Sequence, residues 1–546
     1  MEFETPLSAF LHWENTIPDK LFLQQPVNGE VKTYTWHEAG QEARKVAAGL
    51  RSLDLPPGSR VALLSKNCAH WIMADLAIMM AGHVSVPIYP TLSEGAIQAI
   101  LEHSGTAAII VGKLDDFESQ KGATAGIHSI GVGLYGTDLA TTWEKMVEGN
   151  APLEYVHEQK PDDLMTIVYT SGTTGTPKGV MHSAGTLARV NTIIHDLIFM
   201  PEFPRFFSYL PLAHIAERGG VEVQALIRGA TISFPGSLET FAKDLANTQP
   251  HLFFGVPRIW DKFREKVLES VPQTKLDKLL RVPVLKNFVK KKIVRKLGLS
   301  SATYICSGAA PIATELQEWF QKLGITIHQD YGMTEDCVHA HFNLVGANKF
   351  GTVGRPLPGV QTKFTEEGEL CVKTECLMLG YYKEPGLTAE VIDDEGYFHT
   401  GDIAEYDHDG YLMITGRVKD QFKTDKGKFI SPAPIELELL KNNDIGLVCV
   451  VGTGIPQPIA LVVPSEMGRK KSEREMADSI SHALDGLNPG LEAFERVEKA
   501  VVMKEEWSVE NGLLTPTLKT KRTQIEKLHQ GMYPGWFASK ERVVFE

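Results

Sequence analysis

From Arg60 onward, short β-branched runs alternate with helical stretches, and that alternation narrows the possible folds more than any other feature. "RVALLS" reads as a strand, "CAHWIMADLAIMMA" as a helix and "VSVPIY" as a strand. "AAIIVG", "TIVYT", "ATISF", "HLFFGV", "TYICSG" and "ITIHQ" recur as short apolar runs, with helical patterns between many of them. The pattern predicts α/β layers, whose ligands collect at loops beyond the carboxyl ends of strands. Around Leu370 the character changes, and "GELCVKTECLMLGYY", "GYFHTGDIAEYD" and "GYLMITGRVKD" read as β-hairpins. After Lys419 a smaller unit follows. It has a helix in "ISPAPIELELLKNN", two strands around a Gly-Pro turn, and a helix from Glu473 to Leu487. The expected architecture is a large N-terminal α/β domain (1–418) with layered sheets and a β-rich subdomain. A small, mobile C-terminal α+β domain (419–546) completes it, hinged near Lys419.

At 546 residues the chain has room for a large core and a satellite domain. A formal charge of −13 argues against a nucleic-acid binder, which usually carries a basic face. Cys68, Cys306, Cys337, Cys371, Cys376 and Cys449 form no CxxC pair, and no His cluster lies at zinc spacing. They read as reduced thiols of a cytoplasmic protein rather than as metal ligands or a disulfide framework. The start, "MEFETPLSAF", lacks the basic and apolar regions of a signal peptide. "WIMADLAIMMAGHVSVPIYP" is too interrupted for a membrane span and reads as a buried helix running into a strand. Residues 281–298, "RVPVLKNFVKKKIVRKLG", carry seven basic side chains and no acidic ones, with apolar residues at helical spacing. This stretch reads either as a surface helix docked on the core or as a face that touches an anionic membrane or an acidic ligand.

"YTSGTTGTPKGV" (169–180) leaves the strand "TIVYT". A P-loop needs a second glycine directly before its lysine, and here Pro177 stands before Lys178, so the loop is not of that kind. Its chemistry nevertheless suits a polyphosphate. Gly172, Gly175 and Gly179 let the backbone approach closely, Thr170, Ser171, Thr173, Thr174 and Thr176 offer hydroxyls, and Lys178 adds a cation.

This loop resembles the signature loop of the adenylate-forming superfamily, which includes acyl-CoA synthetases, peptide-synthetase adenylation domains and luciferases. "YGMTE" (331–335), "YFHTGD" (397–402), "GRVKD" (416–420) and "LTPTLKTKR" (514–522) occur in that family's order, and the resemblance spans roughly residues 30–530. It implies that Tyr331 faces the adenine, with Gly308, Ala309 and Ala310 of "SGAAP" and with Asp330 and Gly332 beside it. Thr334 would meet the α-phosphate, and Glu335, with Thr173, would hold Mg²⁺. Asp402 and Arg417 would take the ribose hydroxyls. Asp330 departs from the pattern, because many relatives carry glycine there.

"YLPLAHIAER" (209–218) and "GVPRIWDKF" (255–263) resemble the long-chain fatty acyl-CoA synthetase branch. His214 is then expected to guide the carboxylate or line the acyl channel, and Trp260 to gate the acyl tunnel, each with a place in the core as its alternative. "TDKGKFISP" (424–432), with Gly427 and with Lys423, Lys426 and Lys428 nearby, resembles the loop that passes the pantetheine arm. Lys519 matches the lysine held over the α-phosphate, and Lys419 matches the hinge. The implied substrates are ATP with Mg²⁺, a long-chain fatty acid and coenzyme A. Two alternatives stay open at this point: a fatty acyl-AMP ligase that loads a carrier protein, and a non-catalytic member that binds fatty acid or nucleotide.

Overall fold

The structure, a computed structural model, describes residues 2–137, 139–170, 177–515 and 518–546. Among the described residues, the largest sheet has eight strands. Their order is Gly380–Tyr381, Lys178–Ser183, Leu164–Thr170, Val84–Ile88, Arg60–Leu64, Thr106–Val111, His128–Gly131 and Thr141–Thr142. Pairing is parallel from Leu164–Thr170 onward and antiparallel at the first two pairs. Its central strands are buried on both faces, as parallel strands under helices must be. In Arg60–Leu64, Val61 and Leu63 enter one apolar core while Ala62 and Leu64 enter the other. In Thr106–Val111 the same alternation sends Ala108 and Ile110 one way and Ile109 and Val111 the other.

The helix Ala69–Ala81 and the strand Val84–Ile88 form the expected buried helix-to-strand unit, joined by Gly82 in the left-handed region (φ 83°). A second sheet runs Leu252–Phe254, Tyr304–Ser307, His328–Tyr331, His341–Phe342 and Arg355–Pro356, with its first three strands parallel. The expected hairpins become an antiparallel sheet of Gln361–Phe364, Glu369–Lys373, Phe398–Tyr406 and Leu412–Arg417. After Lys419, Ile445–Val451, Ile459–Pro464, Lys499–Val502 and Val543–Phe545 form a separate sheet. It is covered by the helices Pro432–Leu439 and Glu473–Leu487 and has apolar cores of its own. The architecture is therefore a large domain of layered sheets with a smaller C-terminal domain.

Nearly all of the basic stretch is one helix, as its spacing predicts. Gln273–Arg281 ends at Val282, which is extended before Pro283, and Pro283–Lys296 begins anew. Val289, Ile293 and Leu297 pack on the neighbouring helices, while Val282, Val284, Leu285 and Phe288 are exposed.

One polar cluster ties the helix Ala69–Ala81 to the largest sheet. Arg218 donates to both oxygens of Asp75 (2.7 and 2.6 Å) and to the hydroxyl of Thr166, and its Nε lies 3.5 Å from Glu222. All three side chains are buried, and Arg218–Val223 winds as a π-helix that brings Glu222 beside Arg218. Removing one partner from such a cluster leaves a buried charge without its counterion. Arg218→Met should therefore destabilise the large domain by about 3–5 kcal/mol, measured as a shift of its urea transition at neutral pH. A loss below about 1 kcal/mol would mean that Asp75 and Glu222 can be accommodated without the guanidinium.

Candidate active site

The strand His328–Tyr331 ends at the turn Gly332-Met333-Thr334-Glu335, which is tightly held. Backbone packing requires Gly332, since a Cβ there would stand 2.6 Å from the Cα of Val338. Asp336 accepts from the backbone N–H of Met333 (2.8 Å), and burial pushes its carboxyl up to about 8. His182 Nε2 donates to the carbonyl of Thr334 (2.7 Å), and burial pulls this imidazole down to about 4, so it is neutral. The hydroxyl of Tyr381 donates to Glu335 (2.7 Å), which fixes one carboxylate oxygen and leaves the other to meet a cation. Lys178 Nζ lies 5.2 Å from the Tyr381 ring centroid, which brings the start of the strand Lys178–Ser183 to the same place. Thr170 and Lys178 are paired across the two strands that bracket the glycine-rich loop. Ser171, Gly172, Thr173, Thr174 and Gly175 lie outside the described residues.

Tyr331 donates its hydroxyl to Asp402 (2.8 Å), and Arg417 Nε donates to the other oxygen of Asp402 (2.6 Å). Asp402 and Arg417 are direct partners across their antiparallel strands, so the register itself makes the pair. The Asp402 carboxylate raises Arg417 further above the ordinary guanidinium range. Gly308 follows the strand Tyr304–Ser307 where a Cβ would meet the carbonyl of Asp330 and the ring of Phe254, both at 3.0 Å. Ala309, next to it, is in the left-handed region (φ 67°) and Ala310 is half-buried. Asp330 turns its carboxyl inward, to the hydroxyl of Tyr304 (2.8 Å). That hydroxyl also lies 2.7 Å from the carbonyl of Asn343 and has only one proton to give. Burial raises the Asp330 carboxyl well above its usual range, so a protonated Asp330 that donates to Tyr304 satisfies the count.

Lys519 reaches this cleft from the C-terminal domain. Its backbone carbonyl accepts from the N–H of Thr515 (2.8 Å), and Leu518, left-handed (φ 63°), donates its N–H to the carbonyl of Thr515 (2.8 Å). The residue is exposed to solvent, yet the surrounding protein desolvates its ammonium. That desolvation, with Arg417 adding to it, pulls the ammonium down to about 8, against the opposing fields of Asp402 and Glu335. His214 feels Lys519 in turn. Burial first and that cation second take its imidazole down to about 3. Its Nδ1 accepts from the N–H of Ala216 (3.2 Å), so the neutral ring carries its proton on Nε2.

The remaining expected residues lie apart from this cluster. Trp260 is fully buried, donates to the carbonyl of Gly255 (2.9 Å) and packs edge-on against Phe253, Phe263 and Phe320. In this conformation it is a core anchor. Lys419 is exposed in the 3₁₀ turn Val418–Asp420, and Gly427 is exposed at a hairpin tip with φ 77°. Ion pairs between the C-terminal domain and the rest, Arg258–Glu506 (3.2 Å) and Lys441–Glu315 (3.0 Å), are solvent-accessible. Tyr381, His182 and Asp336 escaped the sequence reading. "LGYY" is not part of a hairpin: Gly380–Tyr381 pairs with Lys178–Ser183 at the edge of the largest sheet, which carries Tyr381 to Glu335.

The AMP-binding enzyme family matches residues 10–382, and the AMP-binding enzyme C-terminal domain matches residues 419–530. Long chain acyl-CoA synthetase 6, peroxisomal, of Arabidopsis thaliana is 30% identical over 91% of this chain and 80% of its own length. Long-chain-fatty-acid–CoA ligase FadD15 of Mycobacterium tuberculosis is 27% identical over 96% of this chain and 95% of its own. Two solved structures share the fold. An adenylation domain of a carboxylate reductase from Mycobacterium chelonae has a TM-score of 0.81 at 22% identity, covering 98% of this chain and 91% of that one. Anthranilate CoA ligase AuaEII in complex with anthranoyl-AMP has a TM-score of 0.79 at 19% identity, covering 97% and 98%. With the family's two parts matched in order along most of its length, the chain belongs to the AMP-binding enzymes of the adenylate-forming superfamily.

Proposed function

We propose that the protein is an AMP-forming long-chain fatty acid–CoA ligase. The observation that carries the reading is the convergence of Lys519, neutral His214, Glu335, Asp402 and Arg417 on one cleft. Its relatives named as long-chain acyl-CoA synthetases support the choice of acid. In the first step the fatty carboxylate attacks the α-phosphorus of ATP, giving acyl-AMP and pyrophosphate. Tyr331 offers a ring face to the adenine, and Asp402, oriented by Arg417, accepts the ribose hydroxyls. The cation of Lys519 offsets repulsion as carboxylate and phosphate meet, and His214 Nε2–H can donate to the carboxylate. Glu335 would hold Mg²⁺, since a hard carboxylate with one oxygen fixed by Tyr381 and the other free suits it. Bound with ATP, that ion neutralises phosphate charge. In the second step the CoA thiol attacks the acyl carbonyl, giving thioester and AMP. Burial of each methylene contributes about 0.8 kcal/mol, so a long chain gains on the order of 10 kcal/mol before ordering costs.

The CoA loop around Gly427 belongs to the same small domain as Lys519 and needs the same carbonyl later, so we place a hinge at Lys419 and domain limits at 1–418 and 419–546. Accessible ion pairs across the interface support mobility, each contributing only about 0–1 kcal/mol. Palmitate-dependent pyrophosphate release with ATP·Mg²⁺ tests adenylation, and thioester formed from free CoA separates this reading from a carrier-loading ligase. Lys519→Ala should lower adenylation by about 10²–10³ yet still convert supplied acyl-AMP and CoA. Lys419→Pro, which fixes φ at the pivot, should keep adenylation and lose thioester formation. Equal damage to both half-reactions by Lys519→Ala defeats the scheme.

The pH dependence of adenylation follows from Lys519. The active form is the cation, present below its pKa, so kcat/KM should fall as pH rises through about 8. His214, titrating near 3, adds no limb between pH 5 and 8. A profile that keeps its alkaline limb in Lys519→Ala assigns that limb to another group.

The helical hairpin 273–296 supports peripheral docking on an anionic membrane. Val284 (82% exposed) and Phe288 (65%) project among lysines, at a site continuous with the helix Pro257–Ser270 that carries Trp260. No helix among the described residues is long and apolar enough to cross a membrane. Each basic residue near such a surface contributes about 1 kcal/mol, screened by salt. Cosedimentation with phosphatidylserine vesicles should weaken as salt rises and drop in Val284→Asp/Phe288→Asp; absence of binding at low salt removes the proposal.

A further inference from the structure

Away from the cleft, on the outward side of the antiparallel sheet, three side chains of different chemistry converge. Cys371 and His399 are direct cross-strand partners between Glu369–Lys373 and Phe398–Tyr406. A register shift between Glu369 and Cys371 brings Glu369 to the same spot. His399 Nδ1 lies 3.5 Å from Cys371 Sγ and 3.1 Å from Glu369 Oε2, and ligand atoms of all three lie within 4.8 Å of one another. In a tetrahedral zinc site, bonds of about 2.0–2.3 Å put neighbouring ligand atoms roughly 3.3–3.8 Å apart. The two short edges of this triangle are already close to that spacing.

Two further observations argue for a built site. Asp393 Oδ2 stands 3.7 Å from His399 Nε2, on the far side of the ring. Without an ion the proton on Nδ1 is shared with Glu369 Oε2 (3.1 Å); an ion bound at Nδ1 moves that proton to Nε2, where Asp393 can accept it, as carboxylates beside metal-bound histidines do. Glu369 Oε1 is held by the backbone N–H of Gly401 (2.8 Å), so its other oxygen is presented to His399. The nearby cations are engaged elsewhere: Lys363 pairs with Asp393 and Glu395, and Lys373 donates to the carbonyl of Glu395.

We propose that Glu369, Cys371 and His399 bind one zinc-class divalent ion, with water completing the coordination, and that the ion is coupled to the nucleotide site through Gly401. Thiolate and imidazole select a borderline or soft ion over Mg²⁺. Binding converts the Cys371 thiol to thiolate and releases its proton to solvent, with no change of oxidation state. The coupling is short. Glu369 holds the amide of Gly401, the next residue is Asp402, and Asp402 holds Tyr331 and Arg417. An ion that draws on the Glu369 carboxylate therefore shifts the support of the ribose site.

The test uses the full chain, reduced with a non-chelating phosphine. Co²⁺ titration should give a saturable thiolate-to-cobalt charge-transfer band at one ion per chain, and Zn²⁺ should bleach it. Cys371→Ser should abolish the band, His399→Ala should weaken binding at least tenfold, and Cys376→Ser should change nothing. Asp393→Asn, more accessible and gentler to the fold, should lower Zn²⁺ affinity about 10–100-fold. AMP affinity should fall several-fold when Zn²⁺ is bound to wild type and stay constant in Cys371→Ser. Absence of a saturable band, or a band that survives in Cys371→Ser, overturns the site and leaves a hydrogen-bonded ion pair. Unchanged AMP affinity in the zinc-loaded protein overturns the coupling.

Discussion

One carboxylate joins the parts of this molecule that must act together. Asp402 takes the hydroxyl of Tyr331 on one oxygen and Arg417 on the other. Tyr331 ends a strand of the sheet behind the cleft, Asp402 lies in the antiparallel sheet, and Arg417 ends the last strand before the turn at Lys419. Two sheets and the entry to the C-terminal domain are thus fixed to one buried group. Both hydrogen bonds involve the charged acceptor, the stronger class of such bonds. The same two partners aim the carboxylate, so the bonds that unite the sheets also fix its direction in the cleft.

Around it, the turn bearing Thr334 and Glu335 is preorganised from behind. His182 grips the carbonyl of Thr334, Asp336 grips the N–H of Met333, and Tyr381 grips Glu335. Burial keeps the first group neutral and pushes the second towards neutrality, which lowers the cost of holding polar atoms there. Groups placed in advance need no reorganisation when charge develops, and that is where most electrostatic catalysis arises.

Much of this was legible in the sequence, for physical reasons that differ by element. The helix Glu473–Leu487 was readable to the residue because Ser472 and Glu475 form a capping box and Met476, Ile480, Leu484 and Leu487 share one face. Strands such as Arg60–Leu64 stood out because burial on both faces makes Val61 to Leu64 an unbroken apolar run. The helix Pro283–Lys296 was legible in the spacing of its apolar residues, and Pro283 marks its first turn. Tyr381 and His182 were invisible because their partners lie 46 and 152 residues away. Cys371 and His399, 28 apart, meet only through strand register, which spacing rules for metal ligands do not capture. The motif residues were found as a set, but periodicity could not show that the Asp330 carboxyl turns inward to Tyr304.

The buried cluster of Asp75, Arg218 and Glu222 sets two acids against one base. Neither oxygen of Glu222 finds a hydrogen-bond partner among the described residues, and burial, reinforced by Asp75, raises its carboxyl well above the ordinary range. Relative to the unfolded chain, the folded core shifts Glu222 toward its protonated form. Folding therefore carries a proton inward, and this group's contribution to stability is greatest below its unfolded pKa and is lost as pH rises through its folded one. The interior of the large domain is a proton acceptor whose occupancy reports whether the domain is folded.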